Sequence, residues 1–368
     1  ANRLNKDIAR HVKARFCLNE GTHYKYHDEL EYASEAEKWL QMAATESDKL
    51  ITSGRYEIYN TGHPQEDYFN MYRIDDKSDL KEAVLYVDYK TNIREHNMAA
   101  AGREAGCGFS KSFVESFLCS DGLPISLSNK YLGDETMRKE TANRDPRLKQ
   151  LILTNDFPTN VTDDLKDSTF VVNEDEFITQ HCFTGYRPIK GFNPIYSQAL
   201  YMKSSFDGIA YRYAETLLIN AEAKAELNTI TNADLDRTVN QLRDRVGMPH
   251  LTVNVGFTDP KWPDWGYSLS PVLQEIRRER CIELAGEGFR FNDLKRWKAG
   301  KVLNNVLTYV GKRKPDGNLA IVYPNYTNPD LSYQAGKSRT WEDKMYLYPI
   351  PTGELQRNPQ LLPQNPGW

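Results

Sequence analysis

Residues 277–297, RRERCIELAGEGFRFNDLKRW, bring arginine and acidic side chains together in a pattern that could support catalysis. The acidic residues are Glu279, Glu283, Glu287 and Asp293, and the arginines are Arg277, Arg278, Arg280, Arg290 and Arg296. Two carboxyl groups held a fixed distance apart across an open cleft hydrolyse glycosidic bonds. Glu283 and Glu287 would supply such a pair, so a glycan-degrading hydrolase is one function that the segment suggests.

The helical periodicity of this segment favours a structural role for the charges. On a helical wheel, Arg280, Glu283 and Glu287 fall on the apolar side of the helix. Charges on an apolar face must be paired, because an unpaired buried charge is costly. Nearby cations also lower the pKa of a carboxyl group, whereas a general acid needs a raised pKa. We therefore expect a buried ion-pair network, which Arg290 and Arg296 on the next helix would close.

Aromatic side chains on loops form a second set of candidates. The stretch FTDPKWPDWGYS contains prolines and a glycine that exclude a regular helix, which predicts a loop for Trp262, Trp265 and Tyr267. Tyr186 and Phe192, in the loop-rich GYRPIKGFNPIY, are the next candidates. Sugars pack their C–H faces on flat rings, so these five residues are the predicted ligand-binding platform. The alternative for Trp262 and Trp265 is that their rings fold back onto the neighbouring helix pair as a satellite core, because large aromatic side chains are usually well buried.

The other polar clusters do not match a metal or cofactor site. His23 and His27 are four residues apart, but EGTHYKYHDEL is typical of a turn with exposed histidines. AGCGFSKS has Ala105 and Ser110 where a phosphate-binding loop requires glycine. The five cysteines show no C-x-x-C spacing. We predict no metal and no cofactor.

Pairs of helices are expected to position these candidates. The apolar periodicity predicts helices over 3–18, 34–53, 208–228, 231–249 with Asn232 as the cap, 271–287 and 290–299. Hairpins of about 35 to 50 residues predict a tetratricopeptide-like stack, in which neighbouring pairs bury each other's faces.

The predicted fold is mostly α, with tetratricopeptide-like helix hairpins as a scaffold and an irregular, loop-rich part that contains short strands. The predicted segments are a helix hairpin over 1–60, the irregular region over 61–200, helical repeats over 201–300 and an irregular C-terminal segment over 301–368 that packs on the scaffold. We expect one compact domain overall.

Composition narrows the functional classes. Lys and Arg total 47 against 51 Asp and Glu, a net charge of -4 without a basic arm, so nucleic acid is not an expected partner. The longest apolar runs fall far short of the roughly 20 residues that a membrane span needs. The 22 Tyr, 14 Phe and 6 Trp suit a surface that handles sugars or peptides.

ERCIELAGEGFRFNDLKRW closely resembles the signature of the SusD/RagB family of outer-membrane nutrient-binding lipoproteins, E-R…E-L…E-G-x-R…D-L-x-R-W. Three more stretches agree in order: FLCSDGLPI with NRDPRL, then YRYAETLLINAEAKAE…VNQLRDRVGMP, and finally YLYPIPTGELQRNP…LPQNPGW. The resemblance runs from about residue 5 to Trp368. We expect the family's N-terminal portion, with its lipid-bearing cysteine and first helical repeat, to have no counterpart in this sequence.

The resemblance implies a binding protein and no enzyme. Proteins of this family sit on the cell surface of the outer membrane through an N-terminal lipid anchor, and they pass glycans, or in some members peptides, to a SusC-like TonB-dependent transporter. It therefore implies an oligosaccharide or polysaccharide ligand and a transporter partner. A glycan hydrolase that uses Glu283 or Glu287, and a helical-repeat scaffold that binds other proteins, are the alternative predictions.

Overall fold

The computed structural model of this chain describes residues 3–98, 108–155, 157–161, 167–169, 173–174, 177–178, 182–193, 195–321 and 339–368. The α-helices are α1 (Lys6–Tyr26), α2 (Ala36–Ile51), α3 (Asp67–Asn70), α4 (Lys111–Ser116), α5 (Met137–Thr141), α6 (Arg147–Leu151), α7 (Tyr196–Ala199), α8 (Tyr213–Glu226), α9 (Asn232–Asp236), α10 (Val239–Arg245), α11 (Pro271–Glu283), α12 (Arg290–Arg296) and α13 (Thr352–Arg357). The strands are β1 (Ala83–Val87), β2 (Pro158–Val161), β3 (Asp167–Thr169), β4 (Gly208–Arg212), β5 (Val310–Arg313) and β6 (Leu319–Ile321). The mostly α fold with few short strands is confirmed.

Helices α1 and α2 form the first hairpin. Asn5 caps α1 by accepting hydrogen bonds from the backbone N–H groups of Asp7 and Ile8 at 2.9 and 3.0 Å. The helix continues to Tyr26, well beyond the predicted end, and the prediction of a turn around His23 was wrong. Gly21 lies inside α1 against Leu40 of α2, where a Cβ would come within 2.8 Å of the Leu40 Cγ. The glycine therefore serves close helix packing.

Helix α8 is the central helix of the scaffold. Nearly all of its residues are buried, and it packs against α1, α2, α10 and α11. On the α2 side, the Asn220 side chain donates 3.0 Å hydrogen bonds to the Ala44 carbonyl and the Ser47 hydroxyl. A helix buried on every face explains why its sequence, YAETLLINAEAKAE, lacks a continuous polar stripe.

The second hairpin continues through α9 and α10. Its cap is Thr231, one residue before the predicted Asn232. The Thr231 hydroxyl accepts from the backbone N–H of Asp234 at 3.2 Å, and the Asp234 carboxylate accepts from the backbone N–H of Thr231 at 3.0 Å. Asn232 instead accepts a hydrogen bond from the backbone N–H of Val253. The prediction of a cap here was correct in kind and wrong by one residue.

Helices α11 and α12 complete the repeats. Ser270 caps α11, and Pro271 occupies its first position, where the missing N–H costs nothing. The helix ends at Glu283, four residues before the predicted end, because Gly286 and Gly288 adopt left-handed φ values of 73° and 84°.

The described strands form three two-stranded antiparallel sheets, β1–β4, β2–β3 and β5–β6. Strand β4 runs directly into α8 and ends at the buried Arg212. Residues of the irregular part, among them Tyr68, Phe117 and Leu148, form an apolar cluster that also includes Val246 and Ile282 of the helical repeats. No described helix combines the length and apolar character that crossing a bilayer requires.

Candidate functional site

Glu283, at the end of α11, is fully buried in a ring of arginines. Its carboxylate accepts hydrogen bonds from Arg245 at 2.6 and 2.8 Å, from Arg212 at 2.6 Å and from Arg147 at 3.0 Å. Burial opposes ionisation, but the three guanidinium groups outweigh it and hold the pKa of Glu283 well below its usual range. This carboxylate stays ionised and hydrogen-bonded on both oxygens.

The network extends across several elements. Glu82, which immediately precedes β1, accepts hydrogen bonds from Arg212 at 3.1 Å and from Arg245 at 3.5 Å. Arg147 of α6 also contacts Asp145 and Glu279. The charges thus join the irregular part of the chain to β4, α10 and α11.

Glu287 lies beyond the end of α11 and is partly exposed. Arg212 lies 2.7 Å and Lys190 2.6 Å from its carboxylate. Partial burial raises the pKa of Glu287, but the two cations outweigh burial and lower it. Neither Glu283 nor Glu287 therefore has the raised pKa that a general acid needs.

The predicted buried ion pairing is present, but its partners differ from those expected. Arg280 does not pair with Glu283; its Nε donates to Asp293 at 2.9 Å. Arg296 pairs with Glu222 and Asp293 at 2.6 and 2.9 Å, and the Arg290 guanidinium lies 6.0 Å from a ring centroid of Trp265. The expectation that Arg290 and Arg296 close the network was wrong for Glu283; Arg296 instead joins Arg280 through the shared Asp293.

Three of the five predicted ring residues are buried. The Tyr186 hydroxyl donates to the Glu140 carboxylate at 2.8 Å, and the ring centroids of Phe192 and Phe157 lie 5.9 Å apart. Trp265 stacks edge-on against Trp297 at 5.6 Å, and its indole N–H donates to Gln274 of α11. An exposed position for these three rings is therefore corrected, and Trp265 packs as the alternative prediction had it; ligand contact by the three residues stays untested.

Trp262 and Tyr267 are half-buried on the same loop. The indole N–H of Trp262 donates to Glu275 of α11 at 2.7 Å. Tyr267 stacks on Tyr26 with ring centroids 4.5 Å apart. The loop folds back onto α11 because this helix offers polar partners for the indole N–H groups. Ligand contact by Trp262 and Tyr267 stays a prediction.

A cleft of about 910 Å³ opens between α1, β4 and α12. Its lining includes Val12, Phe16, Asn19 and His23 of α1, Gly208–Ala210 of β4, Gly286–Phe289, and Asn292 and Lys295 of α12. A concave site of this size with a few converging polar groups is typical of ligand binding. None of the five predicted ring residues lines it. Asn19 and His23, polar residues four positions apart on α1, are a sequence signal that could have indicated it.

The α1 wall of the cleft ends at a pair of stacked histidines. The rings of His23 and His27 lie 4.1 Å apart, and His27 contacts the Lys295 carbonyl at 2.8 Å and Glu29 at 2.9 Å. Burial, together with His27, lowers the pKa of His23 to about 4, so its ring is neutral at pH 7. No group of three His, Cys, Asp or Glu side chains suited to a metal ion occurs in the described ranges.

Comparisons with known proteins connect this geometry to a family. The sequence profile of the SusD family matches residues 45–368. Among curated proteins, the chain is similar to SusD-like protein P2 of Formosa agariphila, with 32% identity over 166 residues. That match covers 45% of this chain and 27% of the relative.

Solved structures share the fold. A SusD-like protein from Bacteroides fragilis is 23% identical with a TM-score of 0.68, and the match covers 100% of this chain and 66% of that chain. A SusD-like carbohydrate-binding protein from the same organism is 23% identical with a TM-score of 0.66, covering 98% and 66%. The present chain thus spans less than two thirds of the curated relative and about two thirds of these structures.

Proposed function

This chain belongs to the SusD family, and we propose that it is a nutrient-binding protein that captures oligosaccharides at the cell surface. It holds the glycan without hydrolysing it and delivers it to a SusC-like TonB-dependent transporter in the outer membrane. A lipid anchor keeps it at that surface. A peptide is the alternative ligand.

The match of residues 45–368 to the family carries this proposal. The name of the carbohydrate-binding relative from Bacteroides fragilis supports a glycan as the ligand. The lowered pKa values of Glu283 and Glu287 support binding over hydrolysis, because a glycosidase needs one carboxyl that stays protonated near neutral pH.

A glycan array followed by calorimetry tests the ligand. We expect the protein to bind one class of oligosaccharide with a Kd on the order of micromolar to millimolar, because an open site buries little of its ligand. Chromatography of the same mixture after long incubation should show the oligosaccharide unchanged. Release of shorter products that Glu287→Gln abolishes would instead support the hydrolase.

Purification from outer membranes in mild detergent tests the partner. The protein should co-purify with a TonB-dependent transporter and be digested when intact cells are treated with protease. Recovery without a transporter, or full protection in intact cells, would contradict this part of the proposal.

A further inference from the structure

Lys295 differs from the other cations that line the cleft. Four of them have carboxylate partners within 3 Å: Arg15 with Glu215, Lys190 with Glu287, Arg280 with Asp293, and Arg296 with Glu222. The half-buried Lys295 has no carboxylate within 4 Å in the described part of the chain, and burial lowers its pKa. Its ammonium lies 4.1 Å from the ring centroid of Tyr348 and 5.9 Å from that of Phe291.

Tyr348 is an exposed ring beside the cleft. It is 70% exposed, although large aromatic side chains are usually well buried. Lys295 lies over one face of the ring, and with 70% of the side chain exposed we infer that the other face is open to solvent. A ring held in this way offers one flat apolar surface and has a hydrogen-bond donor close by.

Two exposed asparagines lie on the facing walls of the cleft. Asn19 belongs to α1 and Asn292 to α12, and neither side-chain amide forms a hydrogen bond with the residues that the structure describes. Each amide offers two donor hydrogens and one acceptor oxygen. Paired hydroxyl groups on a sugar ring require this combination of donors and acceptors.

The contact between α1 and α12 fixes the relative position of these groups. The Thr22 hydroxyl lies 3.0 Å from Arg296 Nη1, and His27 Nε2 lies 2.8 Å from the Lys295 carbonyl. Asn19 is about one turn before Thr22, and Asn292 is about one turn before Arg296. The amides therefore extend from two helices that these hydrogen bonds hold together.

We propose that Asn19, Asn292, Lys295 and Tyr348 form the sugar-binding site of this protein. One pyranose ring stacks its C–H face on the open face of Tyr348, and its hydroxyl groups bond to Lys295 and Asn292. The next residue of the oligosaccharide enters the cleft toward Asn19. This inference rests on the proposed function, and it places the ligand away from the loop of Trp262.

Single substitutions with matched controls test the site. Calorimetry should use the oligosaccharide that binds best on the array. We expect Tyr348→Ala to weaken binding about tenfold and Asn292→Ala about threefold or more, the size expected for a lost stacking surface or hydrogen bond. Tyr348→Phe should bind like the unaltered protein, because it keeps the ring.

The controls are exposed residues of the same types. Tyr201→Ala removes a ring that is 75% exposed on another part of the surface, and Asn254→Ala removes an exposed loop amide. Both should leave the Kd and the Tm unchanged. If Tyr348→Ala lowers the Tm, its weaker binding has a structural cause, and the Kd of Asn292→Ala then tests the site.

The outcomes separate the two proposals. If the unaltered protein binds an oligosaccharide and Tyr348→Ala and Asn292→Ala bind it equally well, this site is overturned and the proposed function stands. If Trp262→Ala alone weakens binding, the ligand lies on the loop. If no oligosaccharide binds to the unaltered protein, the proposed function and this inference both fail.

Discussion

Glu283 is a fully buried residue whose ion pairs reach three separate elements. Arg147 belongs to α6, Arg212 to β4 and Arg245 to α10. Removing one charge from such a group leaves the remaining charges buried without full compensation, which costs far more than loss of a surface pair.

We predict that Glu283→Gln lowers the free energy of unfolding by about 3 to 5 kcal/mol. Urea denaturation measures this change. The control is Glu354→Gln, which removes the exposed partner of Arg357 and should change stability by less than about 1 kcal/mol. Equal stability of Glu283→Gln and the unaltered protein would show that the arginines find other partners.

Glu215 of α8 predicts a response to acid. Burial raises the pKa of its carboxyl, but hydrogen bonds from His11 and Arg15 of α1 outweigh burial and lower it to about 2. A depressed pKa stabilises the folded state above the unfolded value of about 4.5, and that contribution is lost as the pH falls towards 2. The fall in stability between these pH values, measured by urea denaturation, should be smaller in Glu215→Gln. If the free energy of unfolding falls equally with pH in Glu215→Gln and in the unaltered protein, Glu215 is not the source of this pH dependence.

At the scale of elements, the α1–α2 hairpin depends on close approach of its helices. Gly21 and Leu40 meet where a Cβ on residue 21 would lie 2.8 Å from Leu40 Cγ and 3.0 Å from the Leu40 backbone nitrogen. A backbone atom cannot move aside as a flexible side chain can. The spacing of the hairpin therefore depends on the absence of a side chain at this position.

We predict that Gly21→Ala destabilises the protein, although alanine is favoured over glycine inside a helix by about 1 kcal/mol. The reason is the contact with Leu40. Gly353→Ala in α13 is the matched control, because nothing lies within 4 Å of its added Cβ, and it should raise the Tm slightly. Thermal unfolding of both variants checks the prediction, and stabilisation by Gly21→Ala would rule out the close contact.

At the scale of the whole molecule, the ion-pair network joins the irregular part to the helical repeats. Glu82 and Arg147 belong to the former, while Arg245 and Glu283 belong to the latter. The Tyr68 hydroxyl also donates to the Glu283 carbonyl across the same boundary at 2.6 Å. Separating the two parts would expose paired charges and break buried hydrogen bonds.

We therefore predict that the chain unfolds in one cooperative transition. Differential scanning calorimetry should give a single peak, and the calorimetric and van't Hoff enthalpies should agree. Far-ultraviolet circular dichroism and tryptophan fluorescence should give the same midpoint. Two resolved peaks would mean that the helical repeats and the irregular part are separate domains.

The sequence determined the features that arise from local periodicity. Apolar spacing predicted α2, α8 and α11, and their ends lie within five residues of the predicted ones, although residues 208–212 form β4 and not the start of α8. The position of Glu283 on the apolar side of a helix required that it be paired, because a buried charge without a partner is too costly. The family resemblance was also readable, since its motifs are short and collinear.

Only the tertiary structure decided which groups meet. The partners of Glu283 lie 38, 71 and 136 residues away in the sequence, so helical spacing could not identify them. The loop composition around Trp265 was equally compatible with an exposed platform and with packing on α11, and the polar partners on that helix decided between them. The cleft that Asn19 and Asn292 line exists because α1 and α12 pack together. A contact between distant segments of the chain depends on the whole fold and not on the periodicity of either helix.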